Sequence, residues 1–117
     1  MDFSFFLGID MSKEWFDAAI KHKLHPKTIK HRQFDNTTAG FRQLIKWLTQ
    51  TAAVDLSQLF VCLEHTGVYT VPFCKFLAQK DICYTLVPGA VIANQGISRG
   101  KSDELDAKRI VNYLYRN

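Results

Sequence analysis

The chain has 117 residues, 47% hydrophobic and 22% charged, with a formal net charge of +4 and a pI near 9.1. That length supports one domain with a core of its own, and the composition is that of an ordinary globular protein. No apolar run approaches the ~20 residues that span a bilayer, no basic segment leads into a long apolar one at the start, and the mild positive charge is only a weak pointer to a polyanionic partner. Cys62, Cys74 and Cys83 are odd in number, stand in apolar contexts and form no CxxC pair. They read as buried free thiols in a reducing cytoplasm, not as a disulfide frame or a zinc site.

The first pattern, at residues 3–13, organises the rest. Phe3, Phe5, Leu7 and Ile9 alternate on one face and Phe6 lies on the other. A strand apolar on both faces belongs inside a sheet covered by helices. Asp10 stands where the apolar run stops, at the strand end where open α/β folds collect ligands. Residues 15–22 suit a second strand after a short connection at 11–14. A basic turn follows at 21–26, with Pro26 as the breaker. Residues 27–34 alternate polar and less polar positions and end in Phe34, as in a half-exposed antiparallel strand near an edge.

Asn36 or Thr37 can cap a helix. Phe41, Leu44, Ile45 and Leu48 then form one apolar stripe that runs to about Thr51. Residues 59–63 are a continuous apolar run suited to a buried parallel strand, and the run ends in Glu64. Residues 71–80 carry Phe73, Phe76 and Leu77 at helical spacing, with Pro72 tolerable in a first turn. Residues 82–87 make a fifth strand, stopped by Pro88-Gly89, and Ser102 can cap a last helix at 103–116. The order βββαβαβα predicts an α/β fold. Its mixed five-stranded sheet has three antiparallel strands, then two parallel ones, with helices on both faces. The pattern stops at Asn117 within or just after a helix, so the expectation is one domain that is the N-terminal part of a longer protein.

Four carboxylates stand out. Asp10 and Glu64 end inner strands, and parallel neighbours end ~5 Å apart in the hydrogen-bonding direction. Like charges that close call for a cation between them. In the last helix Asp103 and Asp106 share a sector with Ala107, Ile110 and Leu114, the apolar stripe that must face the sheet. Helix-dipole bias accounts for Asp103. It does not explain a carboxylate at Asp106 inside a buried stripe, where a partner or a metal is needed. Four such groups at one sheet edge suit Mg²⁺ or Mn²⁺ and phosphodiester chemistry. Lys13, Arg99 and Lys101 stand near enough in sequence to hold a phosphate backbone.

Three motifs carry a family resemblance: GID-x-S-K at residues 8–13, LE-x-TG at 63–67 and K-S-D-x-x-D-A at 101–107. With Gly40-Phe41 and Gly67-Val68-Tyr69 between them, the chain resembles the DEDD-type insertion-sequence transposases along essentially its whole length. The resemblance implies a RuvC-like catalytic domain of the ribonuclease H superfamily, with Asp10, Glu64, Asp103 and Asp106 as its metal-coordinating acids. It implies metal-dependent cleavage and strand transfer on DNA, at insertion-sequence ends and at a target. A structured guide RNA serves some members, and further copies of the chain are expected in the complete protein. A second domain carrying a serine nucleophile, typical of the family, is absent from these residues. His65 stands where a small residue is usual, and Pro88-Gly89 where Asn-Pro is common.

Other features weigh less. The basic hairpin of Lys21, Lys23, Lys27, Lys30 and Arg32 could track a nucleic acid, although a lysine-protected sheet edge is the commoner meaning of such charge. Trp15 and Trp47 read as core, and Ser12 as a hydrogen-bonding turn residue. Actin-like sugar kinases and ATPases also open on a meander with an aspartate, but Met11 occupies the position where their phosphate loop wants glycine. The competing non-enzymatic reading is a domain that binds nucleic acid or dimerises and is catalytically silent when isolated.

Overall fold

A computed structural model of the chain describes residues 3–64 and 67–87. Five strands make one sheet: β1 (Phe5–Met11), β2 (Trp15–His22), β3 (His25–Asp35), β4 (Leu59–Glu64) and β5 (Cys83–Val87), in the order β3-β2-β1-β4-β5. The first three form the expected antiparallel meander. β4 then lies parallel to β1, and β5 parallel to β4. This is the mixed sheet that the element order predicts, in the ribonuclease H-like arrangement that the resemblance implies.

Alternation separates two faces. Leu7, Ile9, Met11, Phe16, Ala18, Ile20, Leu59, Val61 and Leu63 are buried on one of them. Both described helices, α1 (Thr38–Lys46) and α2 (Val71–Gln79), pack on this face through Phe41, Leu44, Phe73 and Leu77. The helix read at residues 103–116 lies outside the described residues. Phe16 is the hub, fully buried, with ring centroids 5.4 Å from Phe34, 5.9 Å from Phe41 and 5.3 Å from Phe73. One ring thus joins the edge strand to both helices.

Local sequence accounts for the helix ends. Thr37 caps α1, its hydroxyl accepting from the Gly40 amide at 3.0 Å. Beyond Lys46 the backbone opens into a π-helical turn over Trp47–Thr51, which keeps Trp47 and Leu48 buried. Pro72 sits in the first turn of α2, where its missing N–H costs nothing. Gly40 is required by space: a Cβ there would run into the Asp35 carbonyl oxygen. That neighbour is backbone and cannot swing away. Gly40→Ala is expected to destabilise by about 1–3 kcal/mol or more, read as a shift in the urea midpoint. An unchanged midpoint would mean that the Asp35–Gly40 approach is looser than described.

Some local expectations change. Met11 belongs to β1 and is buried, so the first connection is shorter than predicted. Pro26 lies inside β3 and does not break it. The pairs Lys21↔Ile29 and His22↔His25 flank an irregular stretch, and Pro26 falls there on an edge strand, outside the regular ladder. Trp15 is exposed and Lys21 is buried, the reverse of what their side chains suggest.

Among the cysteines, Cys62 is buried, Cys74 half-buried and Cys83 exposed. Burial pushes the Cys62 thiol up to about 12, and burial also raises Cys74, against a hydrogen bond to Tyr84 that lowers it. A thiol reagent at pH 8 is therefore expected to modify Cys83 first and Cys62 only on unfolding. The unfolded chain releases the Cys62 proton near its ordinary value of 9.0 and the folded chain near 12. Above pH 9 the unfolded state binds fewer protons, so stability falls as pH rises, by up to about 4 kcal/mol. Alkaline melts of Cys62→Ala should show a flatter decline.

Candidate active site

The site is built on the face of the sheet that α1 and α2 leave. Ile9 pairs with Leu63, so Asp10 and Glu64 are the next residues of two adjacent parallel strands. Glu64 is buried although ionisable, and its register partner on the other side is Val87. Across the meander Asp10 pairs directly with Asp17. Register partners share a face, so three carboxylates, from β1, β2 and β4, stand side by side at one end of the sheet. Among the described residues no three acidic, histidine or cysteine side chains converge closely enough to hold a metal.

Asp17 is the residue the sequence reading passed over. It is buried, and the His31 ring donates from Nε2 to its Oδ1 at 2.9 Å. His31 pairs in register with Ala19, two positions along β2 from Asp17, so the contact is the diagonal one of an antiparallel pair. A signal existed: Asp17 interrupts the apolar run of β2, and an isolated carboxylate there needs a partner. His31 thus points to the opposite face of β3 from Lys30 and Arg32.

Three loops meet beside these strand ends, and Asn36 ties them together. Its side-chain amide donates to the Ser12 carbonyl at 2.8 Å and to the Tyr69 carbonyl at 3.2 Å. Its own backbone N–H reaches the Glu14 carbonyl at 2.9 Å. Asn36 thus fixes the β1–β2 connection, which carries exposed Lys13, against the 3₁₀ turn Gly67–Thr70 that precedes α2. The sequence suggested only a cap at this position, because a side chain that bridges loops leaves no periodic trace. Ser12 does act in the turn, its hydroxyl donating to the Trp15 carbonyl at 2.8 Å. Gly67 has φ +75°, which only glycine adopts easily, so it turns the chain after β4.

Of the predicted site residues, the described structure brings together Asp10 and Glu64 and places Lys13 on the adjoining connection. Asp103, Asp106, Arg99, Lys101 and His65 lie outside the described residues. His22 and His25 lie with ring centroids 5.6 Å apart in a tilted arrangement, and His22 Nδ1 accepts from the Leu24 amide, so both serve the hairpin turn.

A family model of IS110-type DEDD transposases matches residues 7–117. The chain belongs to this family. The transposase match runs from inside β1 past the last described strand, so it takes in both strand ends that carry Asp10 and Glu64. A comparison with curated proteins finds no match. The family implies an enzyme of the nuclease and recombinase kind with DNA as its substrate, and DEDD transposases generally use a divalent metal. No helix among the described residues of this transposase domain is long and apolar enough to cross a membrane.

Proposed function

We propose that the chain is the RuvC-like catalytic unit of a longer insertion-sequence transposase, which cleaves and joins DNA strands with Asp10, Glu64, Asp103 and Asp106 as metal ligands. The observation that carries this reading is the parallel register of β1 and β4, which brings Asp10 and Glu64 to neighbouring strand ends on one face. Both are hard oxygen donors, and like charges gathered on one face, with Asp17 opposite Asp10, are of the kind a divalent cation offsets. The donor chemistry fits Mg²⁺ or Mn²⁺.

A bound divalent cation would supply charge stabilisation at the scissile phosphate and a more acidic attacking hydroxyl. The chain's own residues do the positioning. β1 and β4, hydrogen-bonded along their length, hold Asp10 and Glu64 at fixed separation. Asn36 holds the loops around them, and Lys13 is available to a phosphate beside the strand ends. Arg99 and Lys101 would extend that contact.

Anomalous diffraction from crystals soaked in Mn²⁺, paired with metal-dependent cleavage of a branched insertion-sequence end by the complete protein, tests the reading. Peaks beside Asp10 and Glu64, with cleavage that disappears on chelation, are expected. Nucleic-acid binding without metal peaks or cleavage would instead support the catalytically silent binding domain.

A further inference from the structure

Charge is unevenly spread along this chain. Residues 18–54 contain seven of its fifteen Lys and Arg and one of its eleven acids, Asp35. The fold gathers this segment at one side: the end of β2, the edge strand β3, α1 and the π-helical turn. Lys27, Lys30, Arg32, Arg42 and Lys46 are exposed, and none forms an ion pair with a described residue. A lysine-guarded edge explains charge along β3. It does not explain why the neighbouring helix carries only cations, nor what shapes the space between the two.

That space is a groove of about 290 Å³ lined by Arg32, Gln43, Lys46, Trp47, Gln50 and Thr51. Arg32 rests on the Phe34 ring, its guanidinium carbon 5.2 Å from the centroid, so the ring supports the cation and leaves its N–H edge to a ligand. Lys46 faces the same groove, two amides and a hydroxyl add uncharged donors, and buried Trp47 gives it an aromatic wall. Three of the lining residues come from the π-helical turn, a distortion that recurs at functional sites.

We propose that this groove, continued along β3, binds the phosphodiester backbone of a nucleic acid. Lys30 and Arg32 lie two residues apart on one face of an extended strand, ~6.7 Å along it, a row that suits a polymer of regularly spaced charge better than a single anion. The amides and the aromatic wall suit sugar and base next to a gripped phosphate. Arg32 shares its face with Phe34 and α1, the opposite face from Asp10 and Glu64. The groove is therefore a second contact surface, independent of the candidate metal centre.

The test is fluorescence anisotropy of the 117-residue chain with labelled duplex DNA, single-stranded DNA and an RNA hairpin, each across a salt series. Arg32→Gln combined with Lys46→Gln should weaken binding about tenfold and lower the slope of log K against log salt by about 2, one for each lost phosphate contact. Lys75→Gln with Lys80→Gln, the same charge change on α2, should leave both unchanged. Both side chains of the first pair are exposed, and circular dichroism verifies that the fold is kept. A loss on all three ligands assigns the groove to the shared backbone, and a loss on one identifies which nucleic acid occupies it. The proposal is overturned if the parent chain binds none of them or if the two double variants behave alike. Mn²⁺ titration of the Arg32/Lys46 variant separates this outcome from failure of the metal centre, since metal affinity should not change.

Discussion

Asp10→Asn and Glu64→Gln are each expected to lower Mn²⁺ affinity by more than ~100-fold, the loss that substitutions one shell further out can reach, with the chain still folded. Either change removes one charged donor from the proposed metal site and leaves an amide of nearly the same shape. The effect on stability runs the other way. Asp10 stands directly opposite Asp17 and beside Glu64, so a neutral residue at position 10 relieves like-charge repulsion. The melting temperature should hold or rise as affinity collapses. Calorimetric titration and a thermal melt on the same samples decide it. Unchanged Mn²⁺ affinity in both variants would refute the site, and a large drop in melting temperature would show that the carboxylates act chiefly as structural acceptors.

Phe16→Ala is expected to destabilise the core by about 3–5 kcal/mol. The ring is fully buried and meets Phe34, Phe41 and Phe73 at centroid distances between 5.3 and 5.9 Å. Truncation opens a cavity where β3, α1 and α2 come together, in a close-packed interior that relaxes only partly to fill it. A denaturation series of Phe16→Ala, Phe16→Leu and the parent chain checks the size of the effect. Leucine, which keeps most of the volume, should recover a large part of the loss. Equal destabilisation by alanine and leucine would point to ring geometry, not cavity volume, as the source.

The strands and helices were legible because each is written in local periodicity. The alternation in residues 15–22 and the stripe of Phe41, Leu44, Ile45 and Leu48 needed no distant partner to be read. Boundaries moved where a tertiary partner intervened. Met11 was drawn into β1 by pairing with Phe16, and Pro26 was tolerated because β3 is irregular there and at the edge. Side-chain exposure misled for Trp15 and Lys21, since amphipathic side chains can place a ring in solvent or a cationic stem among apolar neighbours.

Side-chain pattern within a few residues was enough for the order of elements and for the two carboxylates near the ends of the inner strands. The pairing of β4 beside β1, in the register that aligns Asp10 with Glu64, came from packing across the whole sheet. The tertiary structure alone set Asp17 beside them with His31 attached, and made Asn36 the tie between loops 24 and 33 residues apart in the chain. Register between distant strands is chosen by the packing of a whole face, and a slip of one residue would send every side chain to the opposite side of the sheet.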